Sequence, residues 1–135
     1  MAERPAAVTD THALLFHAAG GRHLGRRAAA FFDKAEERQA IVYVPAAVVW
    51  ESALLVRAGR INLRRPLRDF FEDLFSNPAY QPLDLTIEQI FTADALRINR
   101  DPFDALICAA ALTLDLPLIT RDADIEHSGA VKVIW

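Results

Sequence analysis

The fold of this chain is decided by residues 99–122, which read NRDPFDALICAAALTLDLPLITRD. Apolar residues recur at intervals of three and four from Phe103 to Leu114, which predicts a helix over 102–115 with one face in a core. The short apolar run at 116–120 then predicts a buried strand. A helix that leads directly into a buried strand is the repeating unit of α/β folds.

The rest of the chain repeats this alternation. Short apolar runs predict three more strands, at 8–10, 41–45 and 131–135. Residues 80–85 fit a short extended piece between helices. Helical periodicity predicts helices near 11–19, 24–38, 46–58, 65–76 and 86–98. We therefore expect one α/β domain over residues 1–135 with a mostly parallel sheet, in which ligands bind outside the carboxyl ends of the strands.

Composition narrows the classes of protein that fit. The chain has 135 residues, 53% hydrophobic and 24% charged, as in an ordinary globular protein. No apolar run reaches the roughly 18 residues that cross a membrane, and the first residues do not resemble a secretory signal. Cys108 is the sole cysteine. We therefore expect a buried, unreactive thiol, no internal disulfide and a cytoplasmic location.

Arginine is unusually frequent and clustered, although the net charge of -3 argues against a protein that mainly coats nucleic acid. The guanidinium donates two parallel hydrogen bonds to phosphate, so the clusters could contact a polyanion. A bias in amino-acid composition explains them equally well. The clustered residues are Arg22, Arg26, Arg27, Arg57, Arg60, Arg64, Arg65 and Arg68. Our candidates for substrate contacts are Arg57, Arg60, Arg64, Arg65 and Arg121.

Three acidic residues follow predicted strands closely. Asp10 ends the first strand, Glu51 lies in the helix after the second, and Asp122 follows the 116–120 strand by two residues. A turn or a helix cap would also explain Asp10 and Asp122. Glu51 has apolar neighbours three and four residues away on both sides. A carboxylate beside a buried face needs an arginine partner or a metal ion.

Asp101 and Asp104 begin the helix of the opening stretch. Asp101 precedes Pro102, which predicts an N-cap followed by proline at the first helical position. Asp104 falls at the third position, where it would complete a capping box and meet the positive end of the helix dipole. We interpret Asp101 chiefly as the cap, and Asp104 as both a cap-assisting residue and a ligand.

Together, four of these acids would form a cluster without histidine or cysteine: Asp10, Glu51, Asp104 and Asp122. Such hard oxygen ligands favour Mg²⁺ or Mn²⁺ over zinc, and the arrangement suits phosphodiester hydrolysis. His12 follows Asp10 by two residues and could approach the site. Trp50, next to Glu51, is expected in the core.

Four blocks stand in order along the chain: VTDTHALLF (8–16), VPAAVVWESALLVRAGRI (44–61), RDPFDALICAAAL (100–112) and LPLITRDADI (116–125). Together they resemble PIN-domain ribonucleases, above all the VapC-type toxins of bacterial toxin–antitoxin pairs. The resemblance implies a three-layer α/β/α domain with a parallel five-stranded sheet. It also implies a Mg²⁺- or Mn²⁺-dependent endoribonuclease, a cognate antitoxin and a homodimer. The catalytic and metal-binding quartet then falls on Asp10, Glu51, Asp104 and Asp122, with Asp101, Thr120 and Asp124 in auxiliary roles.

The chain departs from the family's usual pattern on either side of the DPFD unit. Ala105 stands where an arginine often follows, and INR (98–100) stands where a histidine often precedes. These departures concern substrate contacts rather than the metal site. Residues 13–20 and the helical pair at 46–76 are the expected partner surfaces, and an antitoxin arginine could enter the carboxylate cluster.

Two alternatives remain open. A phosphoaspartate protein fits Asp10 loosely, but position 12 is His where a dehalogenase-like enzyme has a second Asp. A PIN-like module could also bind a partner or RNA without catalysis, and it would tolerate loss of the metal. The residues do not identify which RNA is the substrate.

Overall fold

The computed structural model describes residues 3–135. Its five strands are β1 (Ala6–Thr9), β2 (Ile41–Pro45), β3 (Tyr80–Leu83), β4 (Leu118–Ile119) and β5 (Val133–Ile134). They form one sheet in the order β3-β2-β1-β4-β5, with every pair of neighbours parallel. The helices are α1 (Thr11–Ala18), α2 (Arg26–Glu36), α3 (Ala46–Arg57), α4 (Leu67–Ser76), α5 (Ile87–Ala95), α6 (Pro102–Leu114) and α7 (Ala123–Ser128). The three-layer α/β/α architecture and the parallel sheet are those expected.

Two elements differ from the sequence prediction. The segment at 80–85 contains a true strand, β3, which pairs with β2 at the edge of the sheet. An edge strand tolerates Pro82 because only one side of it needs to donate hydrogen bonds. Helix α7 was not predicted, because six residues are too few to show a helical period.

The core lies between the sheet and its helices. Val8, Val42 and Leu118 from the strands are fully buried, as are Phe32 and Ile107 from the helices. Cys108 is also fully buried, and burial raises the pKa of its thiol to about 12. The thiol therefore stays protonated at neutral pH, as expected of an unreactive core cysteine.

The core position predicted for Trp50 is wrong, since this side chain is 50% exposed. The buried face of α3 consists of Ala47, Val48, Ser52 and Ala53, and Trp50 points away from it. The Arg57 guanidinium lies 5.2 Å from the centroid of the Trp50 ring. Residues seven apart lie on the same side of a helix, so Arg57 covers part of this exposed ring.

The strand order places a crevice beside β1. The chain winds from β1 through β2 to β3 on one side, and returns to β4 and β5 on the other. Between β1 and β4 the direction of winding reverses, and in open α/β sheets ligands bind at such a point, outside the carboxyl ends of the strands. Helix α6 leads the chain back to the start of β4, so α6 begins at the same edge. Within residues 3–135, no helix has the length and apolar character needed to span a membrane.

Candidate active site

A cavity of about 180 Å³ lies at this edge of the sheet. The side chains that line it include five carboxylates, from Asp10, Glu51, Asp101, Asp104 and Asp122. Asp10 follows β1, Asp122 follows β4, and the others belong to the first two turns of α3 and the start of α6. The structure therefore brings the four predicted ligands and Asp101 to one place.

Three of these acids cap the helices that follow them. Asp10 Oδ1 accepts a hydrogen bond from the Ala13 amide at 2.8 Å, and Asp122 Oδ1 accepts one from the Ile125 amide at 3.0 Å. Asp101 Oδ1 accepts from the Phe103 amide at 2.8 Å, which confirms its predicted role as the cap of α6. Within residues 3–135, Oδ2 of these residues accepts no backbone hydrogen bond, so capping leaves one carboxylate oxygen for a ligand.

The predicted capping box of α6 does not form, because Asn99 takes the place of Asp104 in it. The Asn99 side-chain oxygen accepts from the Asp101 amide at 2.9 Å, while its Nδ2 donates to Asp104 Oδ2 at 2.8 Å. One amide side chain carries both a donor and an acceptor, so Asn99 can hold both acids at once. Sequence reasoning missed Asn99; its signal was an Asn two residues before the cap, a common turn position.

Two buried threonines orient the other carboxylates. Thr11 Oγ1 donates a hydrogen bond to Glu51 Oε1 across the interface of α1 and α3. Thr120 Oγ1 accepts from the Asp122 amide at 3.1 Å, and the nearby Thr120 side chain partly offsets the rise in the pKa of Asp10 that burial causes. Thr120 thus lies beside the acids, as the resemblance implies. Sequence reasoning missed Thr11, which follows Asp10 directly.

The cavity is electrostatically unfavourable for its own carboxylates. Burial raises the pKa of Asp104 to about 6, and repulsion from Asp101, Asp122 and Glu51 adds to the rise, while the Asn99 hydrogen bond opposes it. Burial likewise raises the pKa of Asp10. Among residues 3–135, no lysine or arginine forms an ion pair with any of the five acids. A bound cation would relieve this repulsion.

The donor set fits a hard divalent cation. In the described part of the chain, no three His, Cys, Asp or Glu side chains form a ready-made metal cage. Mg²⁺ does not need one, because it keeps several water molecules and is usually held by one or two carboxylates together with substrate phosphate. The carboxylates of this cavity therefore suit Mg²⁺ or Mn²⁺, and their oxygen chemistry disfavours zinc.

An aromatic and cationic wall completes the cavity, formed by His12, Phe16, Arg121 and Trp135. The Arg121 guanidinium lies 5.1 Å from the centroid of the Phe16 ring. The Trp135 carbonyl oxygen accepts hydrogen bonds from the Arg27 and Ala28 amides, both at 3.0 Å, at the start of α2. His12 thus reaches the site, as its position after Asp10 suggested.

The other predicted residues lie outside the cavity lining. Asp124 is exposed in the first turn of α7. Arg65 forms an ion pair with Asp73 at 3.1 Å, and Arg64 lines a different cavity. Arg60 is exposed beyond the end of α3. Of the predicted substrate contacts, Arg121 is the one that lines the carboxylate cavity, and roles for the rest stay predictions.

Comparison with known proteins agrees with this architecture. A family model of the PIN domain matches residues 7–130. No match is found among curated proteins. Three solved structures are similar, at identities that show a shared fold. VapBC2 from Rickettsia felis, bound to a DNA fragment from its promoter, has a TM-score of 0.68 at 12% identity, over 95% of this chain and 96% of that one. DNA-bound VapBC from Salmonella typhimurium has a TM-score of 0.65 at 14% identity, over 97% of each chain. A toxin–antitoxin complex from Klebsiella pneumoniae has a TM-score of 0.62 at 19% identity, over 96% of each chain.

Proposed function

This chain belongs to the PIN domain family, and from that premise we propose that it is a Mg²⁺- or Mn²⁺-dependent endoribonuclease, the toxin of a toxin–antitoxin pair. The observation that carries the proposal is the cavity at the carboxyl edge of the sheet. Five carboxylates line it without a lysine or arginine ion-pair partner in residues 3–135, and the pKa of Asp104 is raised to about 6. The block resemblance described above supports RNA as the substrate.

In this proposal Asp10, Glu51, Asp104 and Asp122 hold the cation. When bound, a divalent cation polarises a phosphoryl oxygen and favours ionisation of a water molecule. Hydrolysis joins the water oxygen to phosphorus and breaks one ester P–O bond. The chain's own contribution is to orient the acids: Thr11 holds Glu51, Asn99 holds Asp104, and Thr120 accepts a hydrogen bond from the Asp122 amide.

Cleavage of a labelled RNA by the purified chain tests the proposal. We expect cleavage with Mn²⁺ and none after EDTA treatment. Asp122→Asn should lower the rate by more than about a hundredfold, since losing even an outer partner of a metal ligand costs roughly ten- to a hundredfold. Asp115→Asn is the matched control, because it makes the same change at an exposed residue outside the cavity lining.

Equal rates for these two variants, or cleavage that persists in EDTA, would contradict a role for the carboxylate cavity. Binding of Mn²⁺ without cleavage of any RNA would instead favour the alternative, a PIN-like module without catalysis. Both outcomes are read from the same protein preparations.

The antitoxin is proposed to dock on an apolar cavity of about 520 Å³ between α1 and the segment before α4. Its lining includes Leu15, Phe16, Leu63 and Phe70, within the two partner surfaces expected from the sequence. His12 and Phe16 line both this cavity and the carboxylate cavity, so the two are neighbours. A docked segment could therefore extend an arginine to the acids. If an antitoxin peptide inhibits equally well after its basic residues are replaced, the proposed contact between an antitoxin arginine and the acids is contradicted.

A further inference from the structure

We propose that Phe16 and Arg121 bind the nucleotide next to the scissile bond, Phe16 by stacking on its base and Arg121 by binding its phosphate. The inference rests on the proposed function and concerns the wall of the same cavity. On this wall, Phe16 supplies an apolar ring and Arg121 supplies a cation for phosphate and a flat surface for a base.

Phe16 stands at the centre of a cluster on this wall. Arg121 lies over its ring at 5.1 Å, and the His23 and His12 rings lie 5.4 and 6.2 Å away at tilted angles. Phe16 remains half-buried and lines the cavity, whereas Phe32 in the core is fully buried. A phenylalanine kept at a polar cavity, among groups that stack on aromatic rings, is suited to bind a ligand with a flat face.

Arg121 supplies the positive charge that the acids lack. It is the one lysine or arginine that lines the carboxylate cavity, and within residues 3–135 it forms no ion pair. It lies between Thr120, which contacts the acids, and Asp122, which is one of them. A guanidinium can bind a phosphate through two parallel hydrogen bonds and can also stack against a base. RNA whose phosphate is held at the acids by the proposed cation would thus bring an adjoining base to this wall.

Stacking on Phe16 requires a base whose face is uncovered. The faces of paired bases are covered by their neighbours in a duplex, so proteins stack aromatic side chains on unpaired bases. We therefore expect affinity that depends on the presence of an unpaired base beside the cleaved bond.

Binding of three labelled probes tests this inference: a short uridine oligonucleotide, the same oligonucleotide with abasic riboses, and the same oligonucleotide paired with its complement. Binding is measured in an Asp104→Asn background, which prevents cleavage under the proposed function. Phe16→Leu should weaken binding of the uridine probe by about tenfold, the usual scale for losing one stacked base. It should leave binding of the abasic probe unchanged. Phe16→Trp should retain the original affinity, and Arg121→Gln should weaken binding of both single-stranded probes.

Phe31→Leu is the matched control, because Phe31 is also half-buried but does not line the cavity. Its binding should equal that of the background protein, and thermal midpoints of all variants show that they are folded. The inference is overturned if Phe16→Leu lowers affinity for the uridine probe no more than Phe31→Leu does. It is also overturned if Phe16→Leu weakens binding of the uridine and abasic probes equally. Duplex binding as tight as single-strand binding would also overturn it.

A cleavage assay separates this inference from the proposed function. If the chain with Phe16→Leu as its sole substitution cleaves RNA with Mn²⁺ at an unchanged KM, base stacking by Phe16 is contradicted and the nuclease proposal is kept. If base-dependent binding is lost in Phe16→Leu but the unaltered chain cleaves no RNA, base stacking by Phe16 is supported and the nuclease proposal is contradicted.

Discussion

Asp104 accepts a hydrogen bond from Asn99 at the start of α6, yet its ionised form is unfavourable where it lies. Its pKa is about 6 in the folded protein against an ordinary value of 3.8, chiefly because of burial. A carboxyl group with a raised pKa adds stability when protonated, and that contribution is lost as the pH rises from about 4 to about 6. At neutral pH the ionised group therefore destabilises the metal-free fold.

Asp104→Asn should consequently be as stable as the unaltered chain at neutral pH, or more stable, when both are stripped of metal. Mn²⁺ at a hundred times its dissociation constant should stabilise the unaltered chain by about 2.7 kcal/mol and the variant much less. Thermal unfolding with and without Mn²⁺ measures both effects. If Mn²⁺ has no effect and Asp104→Asn only loses stability, Asp104 is a structural residue and the metal site loses its basis.

His17 gives a second prediction at the scale of one residue, away from the acids. Its Nε2 lies 3.1 Å from Tyr80 Oη, and its ring stacks on Phe32 with a centroid distance of 4.5 Å. Burial lowers the pKa of His17 below 6.5, although Glu36 at 3.7 Å and Asp33 partly offset this. A histidine with a lowered pKa contributes stability above its unfolded pKa, and this is lost as the pH falls below 6.5.

His17→Gln should remove this component of the pH dependence. The free energy of unfolding of the unaltered chain should therefore fall relative to that of the variant as the pH decreases below 6.5. Urea unfolding of both proteins at a series of pH values measures the difference between their unfolding free energies. Contributions from the acidic residues, which both proteins share, cancel in that difference. Parallel curves for the two proteins would show that His17 does not take up its proton more readily on unfolding.

At the scale of elements, the start of α6 depends on its cap. Asp101 Oδ1 accepts from the amides of Phe103 at 2.8 Å and Asp104 at 3.4 Å. Asp101→Ala should cost about 1 kcal/mol of stability, the typical value for losing a cap, and it should lower the pKa of Asp104 by removing a neighbouring charge. Thr86→Ala removes the cap of α5, away from the cavity, and is the control. Urea unfolding and NMR titration of Asp104 give the two measurements; an unchanged Asp104 pKa would contradict the repulsion.

The start of α2 packs closely against Trp135 at Gly25. A Cβ at Gly25 would collide with the Trp135 carbonyl oxygen and ring, so Gly25→Ala should break the bonds from the Arg27 and Ala28 amides. Leaving the amide of the buried Ala28 unpaired costs roughly 1–3 kcal/mol. Gly59→Ala is the control: Gly59 has a φ of 70° but open space around it, so the substitution brings backbone strain alone. Unfolding free energies and the tryptophan fluorescence of the cavity wall test the prediction; a smaller loss in Gly25→Ala than in Gly59→Ala would contradict it.

At the scale of the whole molecule, α5 presents an apolar face to solvent. Ile87 and Phe91 are 65% and 61% exposed and lie one helical turn apart. Exposed apolar side chains that cluster on one face are a common feature of association surfaces, so we predict that α5 forms the contact of the homodimer expected from the sequence. Ile87→Glu with Phe91→Glu should convert a dimer into a monomer in light scattering. Leu112→Glu on α6, 39% exposed, should leave the mass unchanged; a monomer before any substitution would dismiss the proposal.

Residues 99–122 show what the sequence by itself determined. The helical period from Phe103 to Leu114, the cap at Asp101 with Pro102, and the apolar strand before Thr120 all depend on neighbours within a few residues. Such local patterns are enough to predict most elements and the α/β class. They failed where the local signal was short, at β3 and α7, and where an aromatic residue was expected to be buried, at Trp50.

The tertiary structure alone decided which of these residues meet. Thr11 and Glu51 are 40 residues apart in sequence and share a hydrogen bond. Phe16 lies under Arg121, and the strand order 3-2-1-4-5 brings the ends of β1 and β4 side by side. No local period encodes such contacts, because they depend on how strands pair and helices pack across the sheet. The cavity, the raised pKa of Asp104 and the aromatic wall therefore appear only in the folded chain.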